Sequence, residues 1–307
     1  MMDESRAFLR TLGLPGGDLR SLPASEAAFP GGAQFGVEIP TVNTVAAAKA
    51  LLRETQRLGV TVNRIDETLG AFRHTRAELR EYAALCRGSG VALTVSIGPR
   101  AAYDTSATRL SRQGAVIGYR LRGEEQLVRA LEDAKRVCDL GIRGLLVYDE
   151  GLLWVLNEAR KTGELPADTV LKASAHCGHG NGASFRLEQC GADSINPVRD
   201  LSLDMLCALR ASISVPLDVH TDCPEGSGGF IRTYEAPEIV RCCAPVYLKI
   251  GNSALASHGS LPTEADAARM AQQAAIVMEM LERYLPEARQ LARGEGRGLV
   301  AEAEVRV

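Results

Sequence analysis

Ionisable side chains stand at alternate positions in several short, apolar segments of the sequence. Lys172, for example, lies between Leu171 and Ala173. Because successive residues of a strand point to opposite faces, charges spaced in this way share one face and their apolar neighbours share the other. In a barrel of parallel strands, the second face would pack on helices and the first would point to the axis. The candidate catalytic residues on this inward face are Glu38, Lys172, His176, Asp218, His220 and Lys249.

A set of inward charges of this kind predicts an active site. The interior of a structural barrel prefers branched apolar side chains, and buried charges are costly unless each one is paired. A desolvated lysine near other cations has a lowered pKa, which frees its amine to attack a carbonyl and form a Schiff base. His176, Glu38 or Asp218 would then move protons. This is the chemistry of lyases and isomerases, aldolases and dehydratases among them.

Of the two inward lysines, Lys249 is the stronger candidate for the reacting amine. It lies at the mouth end of the last predicted strand. Lys172 lies four residues before His176, about 13 Å deeper at the ~3.3 Å rise per residue of a strand. A lysine at the mouth would meet a substrate carbonyl, whereas a deeper one would serve as a counter-ion to Asp218 or Glu38.

A divalent metal is the second chemistry that the residue types allow. The candidate ligands near the predicted strand ends are Glu150, His176, His220 and Asp222. Mixed carboxylate and imidazole ligands suit Mn, Fe or Zn, and a bound metal polarises a carbonyl in some isomerases and epimerases. The inward lysines make this ligand set less clean, so the metal mechanism ranks slightly below the Schiff base. The sequence does not identify the cofactor further.

The sign of the inward charge predicts an anionic substrate, either a carboxylate or a phosphate. Lys172, Lys249 and Arg120 outnumber Glu38 and Asp218, and excess positive charge in a closed cavity favours an anion. Barrels often hold phosphate with backbone amides of their last two loops. The predicted substrate-binding residues are Arg120, Arg122, Asn196, Gly228, Gly229, Asn252 and Ser253.

These residues are positioned by β-prone segments that alternate with amphipathic helices. Nine strands are predicted, at Phe35–Ile39, Val60–Asp66, Val91–Ile97, Val116–Leu121, Gly144–Tyr148, Val170–His176, Asp193–Asn196, Pro216–His220 and Val246–Ile250. The alternation requires a parallel sheet, and about eight units in roughly 250 residues predict a (β/α)8 TIM barrel. One strand is then accessory, either Phe35–Ile39 or Val116–Leu121. The predicted organisation is an N-terminal extension (1–30), a barrel catalytic domain (31–286) and a loose C-terminal tail (287–307).

Composition excludes several classes of function. The 307 residues carry 35 Lys+Arg and 38 Asp+Glu, a formal net charge of −3, whereas a nucleic-acid binder needs a basic excess. The sequence contains no run of 18 apolar residues, so no membrane span is predicted. The N-terminus lacks the pattern of a secretory signal. The eight scattered cysteines are typical of reduced thiols. We therefore expect a cytoplasmic protein whose partner is a small anionic molecule, with a homo-oligomer left open.

A family pattern runs through six stretches of the chain: residues 35–40, 97–100, 149–154, 191–196, 229–235 and 246–251. Together, over roughly residues 30–285, they resemble bacterial barrel proteins labelled as U32-family peptidases. Several members of that family carry four cysteines for an iron–sulfur cluster. Here the cysteine signature of the peptidase branch is absent. Cys177 and Cys190 have a separation like that of cluster ligands, but the next nearby position, Ser194, is not a cysteine. This departure argues against an iron–sulfur cluster.

Three functions follow from these patterns. The favoured one is lyase or isomerase chemistry on a small anionic substrate. The resemblance implies a U32-like peptidase or other hydrolase as the alternative among enzymes. The alternative outside enzymes is a non-catalytic ligand-binding accessory barrel.

Overall fold

The strands close into a barrel. A computed structural model describes residues 2–100, 111, 118–257 and 259–302. Eight parallel strands pair in chain order, and the first also pairs with the last, which closes the ring. They are β1 (Phe35–Ile39), β2 (Arg64–Glu67), β3 (Ala92–Ser96), β4 (Gly144–Val147), β5 (Val170–Ala173), β6 (Ser194–Ile195), β7 (Leu217–His220) and β8 (Val246–Lys249). The predicted (β/α)8 barrel is confirmed.

Helices cover the outside of this barrel. Within the described residues they are α1 (Asp3–Thr11), α2 (Val45–Arg57), α3 (Arg76–Gly88), α4 (Glu124–Cys138), α5 (Glu150–Thr162), α6 (Phe185–Gln189), α7 (Leu203–Arg210), α8 (Ala236–Cys243) and α9 (Glu264–Tyr284). Thr75 and Thr263 begin α3 and α9 with capping boxes, which satisfy the first free amides of each helix. The helices α2 and α9 pack against each other beside the β1–β8 seam. In the described ranges, no helix has the length and apolar character needed to cross a membrane.

One of the nine predicted strands, Val116–Leu121, is not a strand in its described part. Phe35–Ile39 is β1, whereas residues 118–121 form a turn and an irregular segment. Residues 116 and 117 lie outside the described part of the chain. The side chain of Arg120 pairs with Glu150 at the rim of the barrel. Of the two candidates for the accessory strand, Phe35–Ile39 therefore belongs to the barrel, and the described residues 118–121 of the other form no strand.

The strand that carries Lys172 is shorter than predicted at its carboxyl end. β5 ends at Ala173, and His176 lies in a 3-10 turn, Ala175–Cys177. Ser174 begins this turn, because its hydroxyl accepts a hydrogen bond from the amide of His176 at 3.2 Å. The alternation predicts that His176 is an inward-facing strand residue, and this prediction is wrong. His176 reaches the end of the barrel from a loop.

The segment before β1 and the segment after α9 both contact the N-terminal face of the barrel, where the strands begin. Phe29 packs edge-on against Tyr247, with ring centroids 5.1 Å apart. The amide of Leu291 donates to the carbonyl of Phe35 at 2.8 Å, and Asn63 Nδ2 donates to the carbonyl of Leu291 at 2.9 Å. The segment from residue 287, predicted as a loose tail, is thus bonded to the barrel in its described part.

Candidate active site

Six ionisable side chains meet on the barrel axis, and we call them the central ion cluster. They are Glu38 of β1, Arg64 and Asp66 of β2, Lys172 of β5, Asp218 of β7 and Lys249 of β8. At most 3% of each residue is exposed. Lys172 pairs with Glu38 across the barrel, which requires both side chains to point to the axis. The inward direction that strand alternation predicts is confirmed for four members of this cluster: Glu38, Lys172, Asp218 and Lys249.

The two lysines share the same carboxylates. Lys172 Nζ and Lys249 Nζ each lie 2.7 Å from Oδ2 of Asp66, and both pair with Oε1 of Glu38. In the strand register, Glu38 lies opposite Lys249 on one side and opposite Arg64 on the other. The expectation that Lys249 lies at the mouth and Lys172 well below it is therefore wrong, because both amines reach the same carboxylates. Barrel strands are staggered, so position along a strand does not give depth by itself.

Arg64 joins the lysine–carboxylate group to Asp218. Its Nε donates to Oε2 of Glu38 at 2.6 Å, and its Nη2 pairs with Oδ1 of Asp218. The hydroxyl of Ser194 donates to the other Asp218 oxygen at 2.8 Å. Three cations thus face three anions, and the predicted excess of positive charge is absent from this cluster. Asp66 adds an anion that the predicted set lacks.

Two residues of the cluster, Arg64 and Asp66, are missing from the predicted site. The signal for them was available, because they alternate with Ile65 inside the predicted strand Val60–Asp66. They show the same inward pattern as Lys172. The alternation of this segment is therefore the sequence signal that identifies both residues.

Burial and neighbouring charges move the pKa values of the cluster apart. Burial raises the pKa of Asp66, and the adjacent Glu38 raises it further. Burial and the charge of Arg64 lower the pKa of Lys172. Burial also acts to lower the pKa of Lys249, but Asp66 and Glu38 outweigh it and raise that pKa. Although burial opposes it, the surrounding cations hold the pKa of Glu38 well below its usual range. Lys172, with a lowered pKa, thus lies 2.7 Å from Asp66, whose pKa is raised.

Three rings and two arginines lie beyond the carboxyl ends of the strands, and we call them the mouth group. Its members are Arg100, Tyr119, Tyr148, His176 and Arg199. The ring centroid of Tyr119 lies 4.1 Å from that of His176 and 4.9 Å from that of Tyr148. The guanidinium carbon of Arg100 lies 4.3 Å from the centroid of the Tyr148 ring. The stacked rings hold the two arginines at the entrance to the barrel axis.

His176 is uncharged in this setting. Burial, followed by the charges of Arg199 and Arg100, lowers its pKa to about 3. Its Nε2 lies 3.3 Å from Nη2 of Arg199. A guanidinium offers protons and no acceptor, so Arg199 donates and His176 accepts. His176 therefore supplies a ring and an acceptor to the mouth group, and the arginines supply its charge.

Three further predicted residues lie close to the cluster. His220 is buried in β7, opposite Lys249 in the strand register. Asn196 Nδ2 donates to the backbone carbonyl of Asp218 at 2.6 Å. Asn252 is buried in the turn that follows β8. The barrel brings these side chains near the axis, and their catalytic or binding roles stay predictions.

The other two predicted arginines lie at the rim. Both terminal nitrogens of Arg120 bond to the Glu150 carboxylate, and Nη2 also donates to the carbonyl of Cys177 at 3.3 Å. The amide of Arg122 donates to Oε1 of Gln126 at 2.6 Å. Because Glu150 already neutralises Arg120, that guanidinium offers an incoming anion less than the sequence predicts.

The glycine-rich loops use their amides internally. Those of Gly228 and Gly229 donate to backbone carbonyls of the same turn, at 3.1 Å each. Those of Gly251 and Ser253 donate to the Asp222 carboxylate at 2.9 and 2.6 Å. A carboxylate of the protein thus occupies the place expected for a bound anion. The predicted anion site on these amides has no free donors at the positions named.

Three of the four predicted metal ligands, Glu150, Asp222 and His176, have separate partners. Glu150 pairs with Arg120, and one of its oxygens lies 2.9 Å from His179 Nε2. Asp222 accepts the loop amides, and His176 belongs to the mouth group. The residues that the structure describes contain no group of three or more His, Cys, Asp or Glu side chains that could hold a metal ion. The metal-assisted mechanism stays an untested prediction.

A cavity of about 480 Å³ opens on the opposite, N-terminal face of the barrel. Arg64, Ser194 and Tyr247 are among the residues that line it, and the guanidinium carbon of Arg64 lies 3.7 Å from the centroid of the Tyr247 ring. Barrel enzymes carry their catalytic residues at the carboxyl ends of the strands. The candidate active site therefore extends from the central ion cluster to the mouth group, and this cavity lies behind it.

Comparison with known proteins assigns no family to the chain. No family model and no curated protein matches it. A putative fructose-1,6-biphosphate aldolase from Coccidioides immitis is 16% identical, over 93% of this chain and 96% of its own, with a TM-score of 0.49. A native KDPGal structure is 10% identical, over 85% and 98%, with a TM-score of 0.46. A truncated 3-deoxy-D-arabino-heptulosonate 7-phosphate synthase from Thermotoga maritima is 10% identical, over 84% and 90%, with a TM-score of 0.46. At this similarity, neither substrates nor reactions transfer to this chain, and the resemblance to U32-family proteins stays a prediction.

Proposed function

We propose that this protein is a lyase-type enzyme that acts on a small carbonyl compound bearing an anionic group. The observation that carries the proposal is the pair of buried lysine amines held by the same two carboxylates, Glu38 and Asp66. Well-packed apolar residues stabilise a protein core as well as buried ion pairs do, or better. A lysine amine beside a carboxylate, however, supplies the two groups that imine formation uses, since the amine attacks the carbonyl and the carboxylate holds its proton.

Lys172 is a better candidate for the reacting amine than Lys249. Imine formation needs the neutral amine, and burial together with Arg64 lowers the pKa of Lys172. Asp66, 2.7 Å away, has a raised pKa and can hold the proton that Lys172 gives up. Lys249 has a raised pKa and stays charged beside the same carboxylates. It would balance their charge while Lys172 reacts.

The proposed reaction balances with these groups. Lys172 Nζ attacks the carbonyl carbon, and the amine proton passes through Asp66 to the carbonyl oxygen. That oxygen leaves as water when a second proton is added, and the positively charged iminium remains. When a carbon–carbon bond breaks, its electron pair moves into the iminium to give an enamine, which takes up a proton at carbon. When a carbon–oxygen bond breaks, a carboxylate first removes the α-proton to give the enamine, whose electron pair then expels the oxygen as water after that oxygen is protonated. Hydrolysis of the resulting iminium releases the product and restores the lysine. Lyase chemistry of this kind needs no redox change.

One observation favours the accessory barrel as a second candidate. The central ion cluster is closed to solvent, and its lysines are already paired. A barrel that only binds a ligand at its mouth would need no access to Lys172. An enzyme must open a path from the mouth group to this amine. Chemical trapping of the amine therefore separates the two candidates.

The test is reductive trapping with two carbonyl anions, pyruvate and dihydroxyacetone phosphate. Borohydride converts an imine into a stable secondary amine, which mass spectrometry locates on one peptide. We expect an adduct on the peptide that contains Lys172. Lys172→Arg, which keeps the charge and removes the nucleophile, should abolish it. Lys161, an exposed lysine of α5, reports non-specific labelling in the same digest.

Each other outcome counts against a defined part of the proposal. An adduct on Lys249, retained in Lys172→Arg, would keep the enzyme and overturn the choice of amine. No adduct on either central lysine with both probes, in a protein whose melting temperature the same probes raise, would overturn the enzyme in favour of the accessory barrel.

A further inference from the structure

The two arginines of the mouth group differ from the other buried cations near the barrel axis. Arg64, Lys172 and Lys249 are each paired with a carboxylate of the central ion cluster. Neither Arg100 nor Arg199 has a carboxylate partner among the described residues. Arg100 is nevertheless 3% exposed, so its charge is largely withdrawn from water. An uncompensated buried charge is costly, which is a reason to ask what balances it.

The free edge of Arg100 has a defined shape. Its Nη1 is used, because it donates to the backbone carbonyl of Thr68 at 2.9 Å. Its Nε and Nη2 are buried and have no hydrogen-bond partner within the described part of the chain. These two nitrogens form the side of the guanidinium that binds two oxygens of one carboxylate or phosphate in parallel. Arg100 therefore presents an intact two-pronged donor.

Neighbouring groups hold that edge in place. The Tyr148 ring lies under the Arg100 guanidinium, with 4.3 Å between the guanidinium carbon and the ring centroid. The hydrogen bond to the Thr68 carbonyl fixes the orientation of the guanidinium plane above the ring. A donor that is ordered before binding loses little entropy when an anion arrives. The geometry is that of a preformed anion site.

Arg199 supplies a second donor to the same group. Its Nη2 bonds to His176, whose ring stacks on Tyr119, and its Nε is buried and unpartnered among the described residues. Its backbone is held as well, because Nη2 of Arg232 donates to the Arg199 carbonyl at 3.1 Å. His176 is neutral, so it does not compensate either guanidinium.

We propose that Arg100 and Arg199 form the oxyanion subsite of the active site, with the Nε–Nη2 edge of Arg100 gripping two oxygens of the substrate's carboxylate or phosphate. The inference rests on the proposed function in one respect, since it takes the anion to be part of the substrate. It assigns the anion to residues other than Arg120, which pairs with Glu150, and the glycine loops, whose backbone amides named above already donate within the protein.

The position of the subsite also sets the substrate's shape. Arg100 bonds to Thr68, and Lys172 bonds to Asp66, two residues earlier in the same chain segment. Two residues of extended chain span about 7 Å. The anionic group would therefore sit one layer above the carbonyl that meets Lys172. The substrate class is an oxo compound whose anionic group is separated from its carbonyl by several bonds.

Calorimetric titration tests the subsite without relying on catalysis. The probes are 2-oxoglutarate and, in a second arm, inorganic phosphate, which together tell whether a carboxylate or a phosphate is preferred. We expect one of them to bind the wild-type protein. Arg100→Lys, which keeps the charge but loses the two-pronged edge, should weaken binding about tenfold or more, as expected for lost hydrogen bonds to a charged group. Arg199→Gln should weaken it to a similar extent.

The matched control is Arg53→Gln, which removes an exposed arginine far from the mouth and should leave binding unchanged. Circular dichroism and the melting temperature establish that each variant is folded. If Arg100→Lys does not fold, Arg199→Gln decides. Unchanged affinity in a folded mouth variant, or no heat of binding from either anion, would overturn the subsite.

The two proposals fail separately. If borohydride traps no adduct but anion binding still depends on the two arginines, the lysine chemistry is overturned and the subsite stands. Trapping on Lys172 that reaches half-saturation at the same probe concentration in Arg100→Lys would leave the enzyme and remove the subsite.

Discussion

The central ion cluster and the mouth group differ in how their charges are satisfied. In the cluster, three cations and three carboxylates pair with one another and are closed to solvent. In the mouth group, two guanidinium groups stack on or bond to neutral rings and keep unused donors. Paired charges can position a reacting group and shift its pKa, whereas unpaired donors can bind a ligand. The division suggests that chemistry belongs to the centre and recognition to the mouth.

The largest effect that we expect is on stability, from removing one carboxylate of the centre. Glu38→Ala leaves both lysines and Arg64 short of a partner in a dry interior. Breaking a buried pair in this way costs about 3–5 kcal/mol of the free energy of unfolding. Urea denaturation measures it. Glu264→Ala, which breaks an exposed pair with Arg53, is the control and should change stability little.

A small loss of stability in Glu38→Ala would contradict the description of the central ion cluster as closed to solvent, because it would mean that water reaches the cluster and replaces the carboxylate. The low pKa of Glu38 gives the same expectation a pH dependence. Its contribution is present above the pKa of the carboxyl in the unfolded chain and is lost as the pH falls through the lower pKa of the folded state.

The next effect concerns the mouth group and has a defined sign. The folded pKa of His176 is about 3, below the ~6.5 of an unfolded histidine. Between about pH 4.5 and 6 the unfolded state therefore holds a proton that the folded state does not, and stability rises with pH by up to about 1.4 kcal/mol per unit. His176→Gln should remove this part of the slope. Denaturation curves at several pH values in this window measure it.

His74 is the matched control, since Glu67 raises its pKa. In this acidic window both states of His74 are protonated, so His74→Gln should leave the slope unchanged. Its effect should appear at higher pH, where the wild-type protein loses the contribution of the charged pair as the pH rises through the folded pKa. A His176→Gln slope equal to that of the wild-type protein would mean that the ring is charged and that the mouth group carries a different charge balance.

The barrel could be predicted because its signal is local and repeated. Each apolar segment precedes an amphipathic helix, and a parallel sheet is the arrangement that such an order permits. Inward charges such as Lys172 and Asp218 followed from the alternation of single strands. The depth of the two lysines could not follow, because it depends on the stagger between strands, which no single strand records.

The mouth group was largely beyond sequence reasoning for a different reason. Arg100 follows a predicted strand but has no alternation to mark it, and Tyr119 lies in the predicted strand Val116–Leu121, whose described part is a turn and an irregular segment. Arg100 is proposed as a binding residue because no carboxylate from a distant segment meets it among the described residues. That property belongs to the assembled chain. Arg120 shows the converse, since the sequence could not reveal that Glu150 lies opposite it.

The smallest expected effect therefore belongs to Arg120, and it sharpens the boundary of the mouth group. Its pair with Glu150 is about one-third exposed, and pairs of this kind contribute about 0–1 kcal/mol. Arg120→Gln should accordingly lower the free energy of unfolding by less than about 1 kcal/mol. It should also leave the affinity for 2-oxoglutarate or phosphate unchanged, because Glu150 already uses the guanidinium. Titration of Arg120→Gln beside Arg100→Lys measures this difference directly. A loss of affinity in Arg120→Gln as large as that in Arg100→Lys would show that Glu150 releases Arg120 to the ligand. The anion site would then extend across the rim, as the sequence predicts, and exposure alone would not separate paired from binding arginines.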